Sequence, residues 1–105
     1  MNDTIKTMVD QFGGSKALYM IGAKNCGYNN KENSFSFKFM RNSSQAIICK
    51  LQYHAGPDTY SMTFYTRALR EVKRFDDVYC DELARTFSEY TGLVLRMPRI
   101  IGINA

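Results

Sequence analysis

The chain has one histidine and three cysteines in 105 residues, and that scarcity closes off several kinds of chemistry. His54 stands at no fixed spacing from a serine or cysteine, so a nucleophile–base arrangement has no candidate and no catalytic residue is assigned. Cys26, Cys49 and Cys80 are an odd number at wide spacing without a CxxC pair, which excludes a complete disulfide framework and favours reduced thiols. With His54 they have the residue types of a zinc set, but structural zinc ligands arrive in close pairs on tight turns. The expectation is no metal and no cofactor. No apolar run approaches the about 20 residues that cross a bilayer. The opening MNDTIKTMVD lacks a basic segment followed by an apolar one, so a cytoplasmic protein with no membrane partner is expected. Repeats, low-complexity tracts and linkers are missing too, leaving a single small domain over 1–105, alone or as a small homo-oligomer.

Two short motifs fail on context. Gly13-Gly14-Ser15-Lys16 offers backbone donors and a cation, but a phosphate-binding P-loop needs GxxxxGK[ST] between a strand and a helix, and these glycines follow a helix. Pro57-Asp58 and Glu71-Val72-Lys73 match the residue types of a PD-(D/E)xK nuclease. Two carboxylates sharing one Mg²⁺ must each approach it to about 2.1 Å. Asp58, however, reads as a turn residue, and Glu71 as a partner of the strand's far end near Thr66, about 26 Å away at roughly 3.3 Å per residue. Ordinary turn chemistry and edge-strand charge account for both.

What is present is pattern. In DTIKTMVDQFGG, Ile5, Met8, Val9 and Phe12 share one helical face, Asp3 is placed to cap the start and Gly13 to end it. KALYMIGA reads as a strand, and KNCGYNNKENS as a long turn. Phe35, Phe37 and Phe39 alternate with Ser34, Ser36 and Lys38, the period of a strand with one buried face. In QAIICKLQYH, Ile47, Cys49, Leu51 and Tyr53 alternate with Lys50, Gln52 and His54, and in TYSMTFYT, Tyr60, Met62 and Phe64 point inward. REVKRF suits a charged sheet edge. The second helix runs through DDVYCDELARTFSEYTGL, with acids in its opening turn, Leu83, Phe87 and Tyr90 on one face and Gly92 as its stop. VLRMPRIIGINA adds a short strand before Pro98 and a frayed tail over 97–105. The predicted fold is α+β: a short N-terminal helix, an antiparallel meander of four or five strands and a C-terminal helix packed on one sheet face, in two layers. Ser34, Ser36, Lys38, Lys50, Gln52, Ser61 and Thr63 face solvent or a partner.

Charge is segregated along the chain. Phe12 to Gly56 holds six basic residues and one acidic, a net of +5; Arg67 to Arg74 nets +3; Phe75 to Gly92 holds five acids and one base, a net of −4. A basic sheet and loops attract nucleic acid through counterion release. The sheet lacks the exposed aromatics of an RNA-stacking surface, and the second helix has the wrong sign for a double-stranded-RNA-binding domain.

FGGSKALYMIGAKN, SFSFKFMRN, DTYSMTFYT and FDDVYCDELARTFSEYTGL together resemble a widespread family of small uncharacterised proteins of phages and other mobile elements. The likeness spans most of residues 12 to 95. Similar proteins often stop soon after the TGL, whereas this chain carries on past Leu95. The resemblance implies an accessory protein in a bacterial cytoplasm and no catalytic residues.

Two functions follow as expectations, both non-enzymatic. The first is contact with nucleic acid, with little sequence preference, through Lys24, Lys31, Lys38, Arg41, Lys50, Arg67, Arg70, Lys73 and Arg74. The alternative is occlusion of a host defence complex by a phosphate-mimicking patch of Asp76, Asp77, Asp81 and Glu82, although acids there also favour a helix dipole.

Overall fold

Seven phenylalanines set the architecture, because most of them fall on one face of a sheet that two helices then cover. The computed structural model describes residues 1–93. Helices α1 (Asp3–Phe12) and α2 (Gly14–Met20) precede five strands, β1 (Lys24–Asn29), β2 (Ser34–Lys38), β3 (Ile48–His54), β4 (Thr59–Tyr65) and β5 (Glu71–Val78). A 3₁₀ turn (Cys80–Glu82) then leads into α3 (Leu83–Thr91). The strands form one antiparallel meander in the order β1-β2-β3-β4-β5, and the domain is a two-layer α+β fold. Among the described residues no helix is long and apolar enough to cross a membrane.

Phe87 of α3 sits at the centre of the core, its ring 5.2 Å from that of Phe12 on α1 and 6.0, 5.0 and 5.8 Å from those of Phe37, Phe39 and Phe64 on the sheet side. Edge-to-face and tilted pairs at such spacings add to the burial itself. Ile5, Met8, Leu51, Met62 and Leu83 complete the interior. Of the residues expected there, Val9, Ile47, Tyr53 and Tyr90 are only half-buried.

Several expectations are corrected. Asn2, not Asp3, caps α1: its Oδ1 accepts from the Ile5 amide at 2.8 Å while its Nδ2 donates to Asn33 Oδ1, tying the helix to the β1–β2 turn. KALYMIGA is mostly helix. Gly13 and Gly14, at φ 135° and 71°, let the chain break and restart at once, and Ala17 and Ile21 bury one helical face. Seven residues would not hold a helix in water; docking beside α1 does. The expected long turn contains β1, an exposed edge strand held by its pairing with β2 and not by inward apolar residues. At the other edge, β5 runs on through Asp76 and Asp77, so these acids lie in a strand and not in a helix's first turn. A bulge there takes Asp77 to φ 54°, a conformation Asp tolerates. The short strand and tail expected after Gly92 lie outside the described residues.

The sheet's outer face differs from expectation as well. Ser34, Thr59, Ser61 and Thr63 are buried, because longer polar neighbours are tied down over them. Glu32 accepts from Lys50 and from the Ser34 hydroxyl, both at 2.8 Å, its carbonyl accepts from Gln52 Nε2, and His54 Nε2 lies 3.0 Å from Ser61 Oγ. Small hydroxyl residues in the central strands and long ones around them make a closed polar layer in which every buried polar side-chain atom of the described residues has a partner.

Candidate anion-binding cleft

The cleft grows out of the meander's connectivity. β1 begins, β2 ends, β3 begins and β4 ends at the same edge of the molecule, so residues far apart in sequence converge there. Lys24 and Lys38 are direct cross-strand partners, a like-charge juxtaposition that costs stability unless an anion relieves it. Arg41 comes from the β2–β3 loop and Arg67 from the β4–β5 hairpin. Together these four cations line a cavity of roughly 610 Å³ with Gly22, Phe39, Met40, Asn42, Ser44, Gln45 and Ile47. No acidic side chain lines it, and none of the four makes an ion pair among the described residues.

The walls are braced from several sides. Phe39 N–H donates to Ile47 O, Met40 N–H to Ile21 O and Ile47 N–H to Tyr65 O, at 2.8, 2.9 and 3.0 Å. Asn42 knits the loop internally: its Nδ2 donates to the carbonyls of Met40 and Ala46, and its Oδ1 accepts from the Ser44 amide, each at 2.8 Å, and from the Ser44 hydroxyl. Ser43 docks the loop on the end of α3, its hydroxyl donating to Thr91 O at 2.8 Å. That approach requires Gly92, at φ 80°, since a Cβ there would lie 2.9 Å from Ser43 Oγ. Gly22, beside Met40, takes φ 66°, a conformation that favours glycine. A concave, braced, uniformly cationic wall with polar amides and an apolar floor is suited to phosphate groups carried on a larger organic ligand.

The remaining expected cations are dispersed. Arg70 is exposed in the hairpin beside Arg67. Lys50 is paired with Glu32, whose carboxyl is held below its ordinary value chiefly by that bond. Arg74 is paired with Asp76 at 2.8 Å. Lys73 is opposite Phe64, on the helix-facing side, with its ammonium 5.0 Å from the Phe75 ring. Lys31 lies in the β1–β2 turn at the far end of the sheet. The surface pictured as running across Lys38, Lys50 and the β5 charges is therefore not continuous. Sequence reasoning missed Asn42, Gln45 and Met40, whose only signal was their position beside Arg41.

The four acids of the alternative site sit at that far end, and three are already engaged, Asp77 by accepting from the Thr59 hydroxyl at 3.5 Å. Asp76 pairs with Arg74, and Glu82 pairs with Arg85 at 2.9 Å and accepts from the Tyr79 amide. Asp77 and Asp81 are exposed. No protein-family model matches this chain, and no curated protein or solved structure does so either. For the nuclease motif, Glu71 pairs with Tyr65, so it and Asp58 stand at opposite ends of β4. Among the described residues no three potential metal ligands cluster, and Cys26, Cys49, Cys80 and His54 do not converge. All three cysteines are free, Cys49 buried with its thiol pKa raised by desolvation. A smaller cleft of about 320 Å³ between α1 and the β3–β4 hairpin is lined by Asp3, Thr4, Thr7, Gln11, Tyr53, Asp58 and Tyr60. Tyr53 donates to Asp58 there at 2.6 Å, which raises the phenol's pKa.

Proposed function

We propose that this is a non-enzymatic nucleic-acid-binding protein that grips the sugar-phosphate backbone at the cleft formed by Lys24, Lys38, Arg41 and Arg67, with Arg70 at its rim. The observation that carries the reading is the convergence of four cations with no acidic residue among them. A protein gains nothing in stability from packing like charges together, whereas a polyanion gains a counterion-releasing contact at each. The contact is backbone-directed and tolerant of sequence, because among the described residues no helix lies at the cleft to enter a groove. A phage or mobile-element accessory role in a bacterial cytoplasm, suggested by the sequence resemblance, is compatible with such binding. The acidic-mimic alternative has less support, since Asp76 and Glu82 already have partners within the chain.

Fluorescence anisotropy with single- and double-stranded oligonucleotides at low and physiological salt tests this. The expected result is binding that Lys38→Glu with Arg41→Glu abolishes and that Lys73→Glu with Arg74→Glu leaves largely intact. No binding at low salt, or equal loss in both double variants, would reject the cleft and favour a protein partner.

A further inference from the structure

Among the described residues five non-glycine residues have positive φ, and four of them, Asn25, Asn33, Asp58 and Asp77, are types that accept it. The fifth is Leu69 at φ 65°, a bulky residue for which that conformation is unfavourable. It occupies the third loop position of the β4–β5 hairpin, after a turn closed by Leu69 N–H to Thr66 O and Thr66 N–H to Arg70 O, both at 2.9 Å. Glycine is the residue this geometry favours. Leu69 also contributes nothing to the core, being 70% exposed where Leu51 and Leu83 are fully buried. Neither backbone preference nor packing among the described residues accounts for a leucine here. Its neighbours are informative: Arg67 lines the cleft and Arg70 closes the loop's base.

We infer that the hairpin tip is a wedge, pressing Leu69 against a nucleobase while Arg67, Arg70 and the cleft hold the adjoining phosphates. This rests on the nucleic-acid reading above and adds the base contact and its residue. An apolar tip flanked by cations matches the alternation of apolar base faces and phosphates, and apolar side chains inserted beside bases unstack them. The cations line a concave wall, which fits a strand better than the flat surface of an anionic membrane. The loop's hydrogen bonds hold the leucine on a fixed mount, so little freedom is lost on contact.

The test uses oligonucleotides carrying 2-aminopurine, single-stranded and duplex, in DNA and RNA, with anisotropy for affinity and 2-aminopurine fluorescence for unstacking. Wild type should bind with a rise in fluorescence. Leu69→Gly, which suits the backbone and should melt no lower than wild type, should bind about tenfold more weakly, the scale of losing one base contact, without the rise. Leu69→Phe should restore both. Wild-type binding with no fluorescence change, or a Leu69→Gly protein equal to wild type in both readouts, overturns the wedge and leaves backbone binding standing. Absence of any nucleic-acid binding overturns both readings. Leu69-dependent capture by vesicles containing anionic lipid, without nucleic-acid binding, would assign the tip to a membrane instead.

Discussion

Asn42 makes three hydrogen bonds of 2.8 Å to main-chain groups of its own loop, and through them the loop that carries Arg41 is braced by a neighbour that has no charge. Asn42→Ala would leave two carbonyls and an amide without that partner. It should lower stability by about 1 kcal/mol in urea unfolding and weaken oligonucleotide binding more than that loss explains, because the loop that carries Arg41 would lose its brace. Glu32 governs the outer face in a similar way. Its carboxyl pKa is lowered from 4.5 by the bonds from Lys50 and Ser34 and by the Lys50 charge. An acid with a depressed folded-state pKa stabilises the fold fully above its unfolded value, and the contribution disappears as pH falls through the folded value. Melting temperature followed downward from pH 6 should therefore fall more steeply below 4.5 for wild type than for Glu32→Gln, and parallel curves would show that the pair adds nothing.

At the scale of elements, α3 is the part on which the others depend. One face carries Leu83, Phe87 and Thr91 into the interior, and its C-terminus receives the loop that bears Arg41. Phe87→Ala should cost about 3 to 5 kcal/mol, and denaturant unfolding would check it: a loss below about 1 kcal/mol would mean that the helix does not pack on the sheet in this way. The periodicities of α1, β2, β3, β4 and α3 could be read directly, since each carries its apolar residues on one face and shows them as a repeat of 3.6 or 2. α2 and β1 could not. Ala17 and Ile21 give a helical face too short to distinguish from strand, and the β1 segment KNCGYN has no alternation, because an edge strand is placed by its partner's hydrogen bonds.

Among the described residues, much of the charge is divided along the strand direction, with Glu71 at the basic end and Lys31 at the acidic end as exceptions. Lys24, Lys38, Arg41, Arg67 and Arg70 gather at one end of the sheet, and Glu32, Asp58, Asp76, Asp77, Asp81 and Glu82 at the other. Such a distribution orients the protein toward a polyanion before contact. If four phosphates are engaged at the cleft, log affinity should fall with log salt at a slope of about −3, read by anisotropy titrations across ionic strength. A slope near zero would point to a contact that is not electrostatic.

Local pattern alone determined the layers, the meander and the aromatic core, because burial of one face leaves a periodic trace in the chain. The basic balance and the list of candidate cations were equally legible. Which cations lie together was decided only by tertiary structure: Lys24, Lys38, Arg41 and Arg67 are separated by up to several strands, and only the strand register and loop docking bring them to one cleft. The same holds for one of the cations set aside. Lys50 differs from Lys38 in nothing local, yet Glu32 folds against it, whereas Arg74 has its partner Asp76 two residues on in the chain. A charge is a property of one residue, but whether it is free to meet a ligand depends on what the fold places beside it.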